Sequence, residues 1–158
     1  MTDLSRIRNF SVRSFKNGDY SNWKVLWDAY LIFYQSHVPD AVTQSTWQRL
    51  INEDANVFGF GAFDGKTLLG IIHGIIHRST WLKEYDAYLE DLFVSEAARG
   101  KGVGRALIEQ FTAEARLRKA ERIYLLTHKN NLNAQALYDK LGQQSGLIQY
   151  RIDTKQSA

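Results

Sequence analysis

Asp91-Leu92-Phe93-Val94-Ser95-Glu96-Ala97-Ala98-Arg99-Gly100-Lys101-Gly102-Val103-Gly104-Arg105 is the stretch on which the fold of this chain turns. Its first four residues close a strand, 86–94, that is rich in aromatic and β-branched side chains. From Gly102 the apolar positions take up a helical period that holds to about Arg118, with Leu107, Ile108, Phe111, Ala115 and Leu117 mostly inward. A strand therefore runs through a glycine-rich turn into a long helix. Backbone N–H groups converge there at the positive end of the helix dipole, which makes the turn an anion site. Glycine puts no side chain between the backbone and a phosphate, and Arg99, Lys101 and Arg105 add charge at the rim.

Upstream, residues 21–34 place apolar side chains at 23, 26, 27, 30, 31 and 34, the spacing of a helix, with Asp19 or Ser21 as its cap. Pro39-Asp40 punctuates, and 43–53 reads as a shorter amphipathic helix with Trp47, Leu50 and Ile51 on one side. The period then changes. Residues 57–63 read as a strand, and Asp64-Gly65 as a hairpin turn into a second strand, 68–77. Downstream of the long helix, 121–127 reads as a strand, 131–141 as a short helix closed by Gly142 in the C′ position, and 146–152 as a last strand. Two helices, three strands and then alternating helices and strands make a single α+β domain over residues 1–158, layered α/β/α around a mixed sheet.

Composition narrows the function classes. The chain has 158 residues, 44% hydrophobic and 23% charged, which is enough to bury a sizeable core without a staple. It contains no cysteine, so a disulfide, a thiolate zinc site and a thiol nucleophile are all excluded. No apolar run has the length of a spanning helix, and the first residues, Met1 to Arg6, lack the apolar core of a secretion signal; a cytoplasmic location and no membrane partner are expected. The net charge of +3 is unevenly spread: residues 99–129 carry +5, whereas 84–96 hold five acids and no Lys or Arg. An acidic strand leading into a basic loop suits a cationic substrate beside an anionic cofactor. The basic window lacks the interleaved aromatics of a single-strand platform, so no nucleic-acid partner is expected.

The glycine spacing decides between anions. A Walker loop ends in Gly-Lys-Ser/Thr to hold magnesium, but Gly104 is followed by Arg105-Ala106. A dinucleotide fold needs G-x-G-x-x-G and an acid at the end of the next strand; here the spacing is G-x-G-x-G and that strand ends Thr127-His128-Lys129. What Arg99-Gly100-Lys101-Gly102-Val103-Gly104 does resemble is the pyrophosphate loop of the GNAT superfamily of acyl-CoA-dependent N-acetyltransferases, Gln/Arg-x-x-Gly-x-Gly/Ala, which it matches at every fixed position. Asn131-Leu132-Asn133-Ala134-Gln135-Ala136-Leu137-Tyr138 looks like that superfamily's later motif, in which an Asn and a small residue precede an aromatic-Tyr pair on a short helix. Within it, Tyr88-Leu89-Glu90-Asp91-Leu92-Phe93-Val94 and Ile148-Gln149-Tyr150-Arg151 resemble the branch of spermidine/spermine, thialysine and yeast histone/polyamine acetyltransferases.

The resemblance implies a GNAT-like acyl-CoA N-acyltransferase fold, a mostly antiparallel mixed sheet with helices on both faces. It implies an enzyme that moves acetyl from acetyl-CoA to a primary amine by direct attack in a ternary complex, with coenzyme A as product. The acceptor so implied is a polyamine, a diamine or a lysine-like small molecule. The alternatives are a protein or histone lysine acetyltransferase and a catalytically silent CoA-binding module. Tyr138 would give the leaving thiolate its proton, and Glu90 would take a proton from the amine through water. Asp91 competes for that role, because a β-bulge in this strand would disturb the facing of the two acids. Arg99, Gly100, Lys101, Gly102, Val103, Gly104 and Arg105 would hold the pyrophosphate. The backbone of Leu92, Phe93 and Val94, with Asn131 and Ala134, would hold the pantetheine arm, and Asn133 is read as a helix cap. Tyr30 and Asp28, with Glu90 and Asp91, are candidate acceptor contacts; Trp27 and Tyr34 read as helix core. A homodimer is implied as well, with 146–152 available for strand exchange.

The four histidines give no metal site. His73 and His77 share a strand face but lie roughly 13 Å apart along it, so core packing or a pocket wall is the reading for both. His37 falls in a loop at a possible substrate entrance, and His128 reads as a capping or surface residue.

Overall fold

Strand β1 (Ser11–Ser14), helices α1 (Tyr20–Phe33) and α2 (Asp40–Ile51), strands β2 (Val57–Asp64), β3 (Thr67–Arg78) and β4 (Tyr85–Val94), helix α3 (Val103–Leu117), strand β5 (Ala120–Leu125) and helix α4 (Leu132–Tyr138) follow one another along the chain. The structure is a computed structural model and describes residues 9–155, which form two compact units divided between Leu126 and Thr127.

In the first unit the five strands make one sheet in the order β1-β2-β3-β4-β5. Neighbours are antiparallel up to β4, and β5 runs parallel to β4. A parallel neighbour needs a crossover, which α3 supplies. The sequence of β2, Phe58-Gly59-Phe60-Gly61, shows how the two faces are filled. Phe58 stacks on Phe111 of α3 with centroids 4.8 Å apart. On the other face a Cβ at Gly59 would meet Leu50 and His73, and one at Gly61 would meet Phe63, Leu68 and Phe15. Glycine at these two positions makes room for a wide aromatic layer.

That layer holds Phe15, Trp23, Leu26, Trp27, Trp47 and Leu50, all below 9% exposed, packed on Ile71 and Phe93 of the sheet. Trp23 stacks on Trp27 at 5.6 Å and tilts against Trp47 at 5.0 Å. Helix α3 covers the opposite face with Val103, Leu107 and Phe111 fully buried. Gly74 lies under it, and a Cβ there would stand 2.1 Å from the Phe111 ring. The layered α+β architecture expected from the sequence is the one observed.

Several expectations need correction. Residues 146–152 form no strand: they pair with no neighbour, and Leu147, Ile148, Tyr150 and Ile152 are 77–87% exposed. β-propensity without a ladder partner does not make a strand. Leu117 is 79% exposed, because α3 ends there and Lys119 turns the chain at φ 64°. Helix α4 stops at Tyr138, so Gly142 is not its C′ residue; the Gly142 N–H bonds back to the Tyr138 carbonyl at 2.9 Å in a following turn. Strand β1 was not legible, since four residues with two half-buried carry no clear alternation. Asp19 stands at the start of α1, but its carboxylate accepts from Arg13 and from the Lys16 N–H rather than from the helix.

Candidate functional site

The glycine turn has the geometry of an anion cradle. After β4 a 3₁₀ turn, Glu96–Ala98, is anchored by buried Ala98, and Gly100 and Gly102 both take left-handed backbone, φ 74° and 81°. Gly102 is the N-cap of α3, and no side chain caps that helix end. Its first turn carries no acid. A Cβ at either glycine would meet nothing within 4 Å, so the space beside both glycines is open, and the first N–H groups of α3 have no side-chain cap. Arg99, Lys101 and Arg105 are exposed around it. Arg99 donates to the Val94 carbonyl at 3.2 Å, and Arg105 pairs with Glu109 at 3.3 Å. Elsewhere in the basic window Arg118 pairs with Glu114, and Arg122 with Asp86.

Strand β4 breaks its own regularity at the acids. His73 of β3 pairs with Asp91, but Gly74 pairs with Leu89, which leaves Glu90 as the extra residue of a bulge. Glu90 is exposed, whereas Asp91 is 8% exposed. The bulge therefore sets the two carboxylates in different surroundings. The β4–β5 ladder stops at the pair Leu89–Leu125. Beyond it Leu92, Phe93 and Val94 are paired with β3 alone, so one edge of this strand end has backbone groups outside any ladder.

Asp91 sits at the end of a buried polar chain that sequence reading missed. The Trp23 indole Nε1–H donates to His73 Nε2 at 3.0 Å, and His73 Nδ1 lies 3.0 Å from Asp91 Oδ2. Burial and the neighbouring Asp91 carboxylate push the Tyr30 phenol well above its ordinary range, so it stays protonated. Tyr30 stacks on Trp27 at 5.5 Å and meets Phe93 edge-on. Asp28, by contrast, is held by Lys24 one helical turn away, at 2.6 Å. Trp27 is core, in line with the sequence reading; Tyr34, expected in the helix core, is half-buried at the C-cap because α1 ends at Phe33.

Beside the bulge, Tyr88 of β4 stacks on Tyr124 of β5, 4.9 Å apart and nearly parallel. His77 bonds the Tyr124 hydroxyl at 2.7 Å, which makes it a wall of this tyrosine pair rather than core filling. Burial and then Asp86 and Glu90 raise the Tyr124 phenol. Asp86, buried, is held below the usual carboxylate range by its two-pronged bond to Arg122.

In the second unit, Asn131 caps α4: its Oδ1 accepts from the Ala134 N–H at 3.3 Å. The cap is thus Asn131, not Asn133, because the helix begins at Leu132. Tyr138 is the last residue of α4 and is half-buried. His37 and His128 are exposed. Among the described residues no three His, Asp or Glu come together as a metal site, and no helix is long and apolar enough to cross a membrane.

A cradle of uncapped N–H donors, basic side chains around it and a strand end unpaired on one edge are what a pyrophosphate with a long amide-bearing arm requires. The sequence model of the acetyltransferase (GNAT) family matches residues 21–143. The chain belongs to the GNAT family. It is 33% identical over 142 residues, 89% of its length and 88% of the relative's, to D-amino-acid N-acetyltransferase HPA3 of Saccharomyces cerevisiae. It is 36% identical over 58 residues, 36% of this chain and 38% of the relative, to spermine/spermidine N(1)-acetyltransferase of Bacillus subtilis. The structure of AAC(6')-Iy in complex with a CoA bisubstrate analogue shares its fold, with a TM-score of 0.77 at 18% identity over 91% of this chain and 98% of the other. As a GNAT acetyltransferase, the chain uses acetyl-CoA as acyl donor.

Proposed function

We propose that this GNAT enzyme acetylates a small molecule whose primary amine arrives as a cation: a polyamine, a diamine or a lysine-like compound. The observation that carries the reading is the pair of acids on the β4 bulge, Asp91 buried and Glu90 exposed, next to the protonated Tyr30 phenol. An ammonium is drawn to such a place by charge. The partial similarity to a spermine/spermidine acetyltransferase supports it. A second reading, the α-amine of a D-amino acid, is favoured by the similarity to HPA3 along 89% of the chain.

Acetyl-CoA supplies the acetyl group as a thioester. The arriving ammonium first gives up one proton to become the nucleophile; transfer then forms one C–N bond, breaks one C–S bond, frees a second proton from the nitrogen and requires one at the thiolate, so that one proton in all is released to solvent. The chain's residues then divide the work. Main-chain N–H groups of residues 100–104, with Arg99, Lys101 and Arg105, take the pyrophosphate. Backbone groups of Leu92, Phe93 and Val94 accept the arm as an added strand, aided by Asn131 and Ala134. Glu90, wet and exposed at the bulge, receives the amine proton through water. The Tyr138 hydroxyl donates to the leaving sulfur. Tyr30 and Asp91 hold the acceptor, while Asp28 is engaged by Lys24 instead.

The family match across residues 21–143 takes in residues of both units. The enzyme is proposed to work in the cytoplasm. It is also proposed to be a homodimer, since four exposed apolar side chains at 147–152 suit coverage by a second copy. Light scattering on the eluted protein should then give twice the chain mass, and Ile148→Asp with Ile152→Asp should return it to monomer; a monomeric wild type would contradict the dimer.

Acceptor class is tested by kcat/KM for spermidine, diamines, lysine and thialysine against D-amino acids and a histone-tail peptide. A preference for the first group by roughly tenfold or more, about 1.4 kcal/mol in transition-state binding, is expected. Preference for the D-amino acids would establish the second reading, and preference for the peptide would make this a protein acetyltransferase.

A further inference from the structure

A histidine inside an otherwise apolar strand, Leu68-Leu69-Gly70-Ile71-Ile72-His73-Gly74, is an expensive thing to bury unless both ring nitrogens are satisfied. His73 is 3% exposed and is ringed by Phe15, Trp23 and Trp27, with centroids 5.7–6.1 Å away. Its two partners fix its chemical form. An indole N–H can only donate, so His73 Nε2, 3.0 Å from Trp23 Nε1, must be the bare, accepting nitrogen. The ring proton is therefore on Nδ1, where it points at Asp91 Oδ2, 3.0 Å away. A donor on that side requires an accepting oxygen of Asp91. Protonating the second nitrogen would set two N–H groups against each other at Trp23.

The consequence is a buried acid with no cationic side chain among the described residues paired to it, beside the second acid of the bulge, Glu90. Asp91 is 8% exposed and, among the described residues, makes no ion pair with any Lys or Arg. Neutral His73 gives it one N–H and no charge, and Tyr30 stays a neutral phenol. A carboxylate has about four accepting positions; His73 uses one and the Tyr30 hydroxyl another, which leaves about two. Had the fold needed only a filled core at this place, apolar residues of the same volume would have served at lower cost. What the arrangement lacks is a cation, and the carboxylate lies on the β4 segment whose edge is unpaired beyond Leu89.

We infer that Trp23, His73 and Asp91 form a relay in which the Asp91 carboxylate is the counter-charge that binds the acceptor's ammonium, with His73 and Trp23 as positioning residues acting through it. This rests on the amine-acetylation reading above and deepens it. It separates the two bulge acids: Asp91 binds, and exposed Glu90 is left to receive a proton from solvent-linked water. It also explains why α1 and β3, 50 residues apart in sequence, are tied by a side-chain bond at this point of the core.

The relay has a signature independent of turnover. Long-range proton–nitrogen NMR of the wild-type protein should find Nδ1 of His73 protonated and Nε2 bare; the opposite tautomer or a doubly protonated ring overturns the inference. Kinetics then test its role. His73→Leu should raise KM for the amine roughly 10- to 100-fold, the loss expected for a hydrogen bond to a charged group, with KM for acetyl-CoA within about twofold of wild type. His73→Asn, whose amide N–H replaces Nδ1–H, should recover most of that loss, a rescue that a purely structural histidine would not show. Trp23→Phe should fall between them, and it keeps the test alive where His73→Leu does not fold. Unchanged amine KM in a folded His73→Leu or Trp23→Phe protein overturns the inference while wild-type turnover leaves the enzyme reading intact. A wild type that turns over no amine overturns that reading and the inference with it, whatever the tautomer.

Discussion

Gly102→Asp is expected to abolish measurable acetyl-CoA binding. The residue sits at φ 81° as the N-cap of α3, where an L-side chain costs about 1–2 kcal/mol of backbone strain. A carboxylate there also brings negative charge to the helix end that is proposed to take the pyrophosphate. Repulsion in place of a charge-assisted contact lowers affinity by roughly 100-fold or more when it replaces even two such bonds. The fold should tolerate the change, because a Cβ at Gly102 meets nothing within 4 Å and the core contacts of α3 begin at Val103. Calorimetric titration and the shift in melting temperature caused by acetyl-CoA read this directly. Gly102→Ala separates the two causes by keeping the strain without the charge. Unchanged affinity in Gly102→Asp would move the anion site away from this loop.

The second large effect is on rate. Tyr138→Phe removes one hydroxyl from the end of α4, a helix in which no residue is fully buried, so stability should change little. If the phenol protonates the leaving thiolate, kcat falls by about 10²- to 10⁴-fold, the usual range for losing a general acid, while KM for acetyl-CoA stays near wild type. A fall in kcat together with a rise in KM for acetyl-CoA would point to a packing role. An unchanged kcat would take Tyr138 out of the reaction.

Much of this molecule could be read from its residues, and the failures share a cause. The glycine loop was legible because its demands are local: positive φ, uncapped donors and a following helix all lie within six residues, 99–104. The strands β2 to β4 were legible from alternation and from Asp64-Gly65. The positions of the two acids were not, because a bulge is a property of two paired strands; only the register between β3 and β4 shows that Glu90 is the extra residue. The same holds for His73. From sequence it is one polar residue in an apolar strand, and its partners Trp23 and Asp91 lie on α1 and β4. The one available signal was the cost of burying an imidazole, which calls for two partners without naming them. Residues 146–152 failed the other way, since alternation was present and a neighbouring strand was not. Asn131, read as a ligand contact, is also the cap of α4, two uses for one side chain that spacing could not separate.

Acetyl transfer to an amine is the central claim, and thiol release from acetyl-CoA measured against increasing acceptor concentration tests it most directly. The account expects release that is negligible without acceptor, saturates with a cationic small amine such as spermidine or lysine, and is matched mole for mole by acetylated amine. Absence of acceptor-dependent release across polyamines, lysine-like compounds, D-amino acids and the histone-tail peptide, in a protein whose melting temperature acetyl-CoA still raises, would contradict it and leave a CoA-binding module in its place.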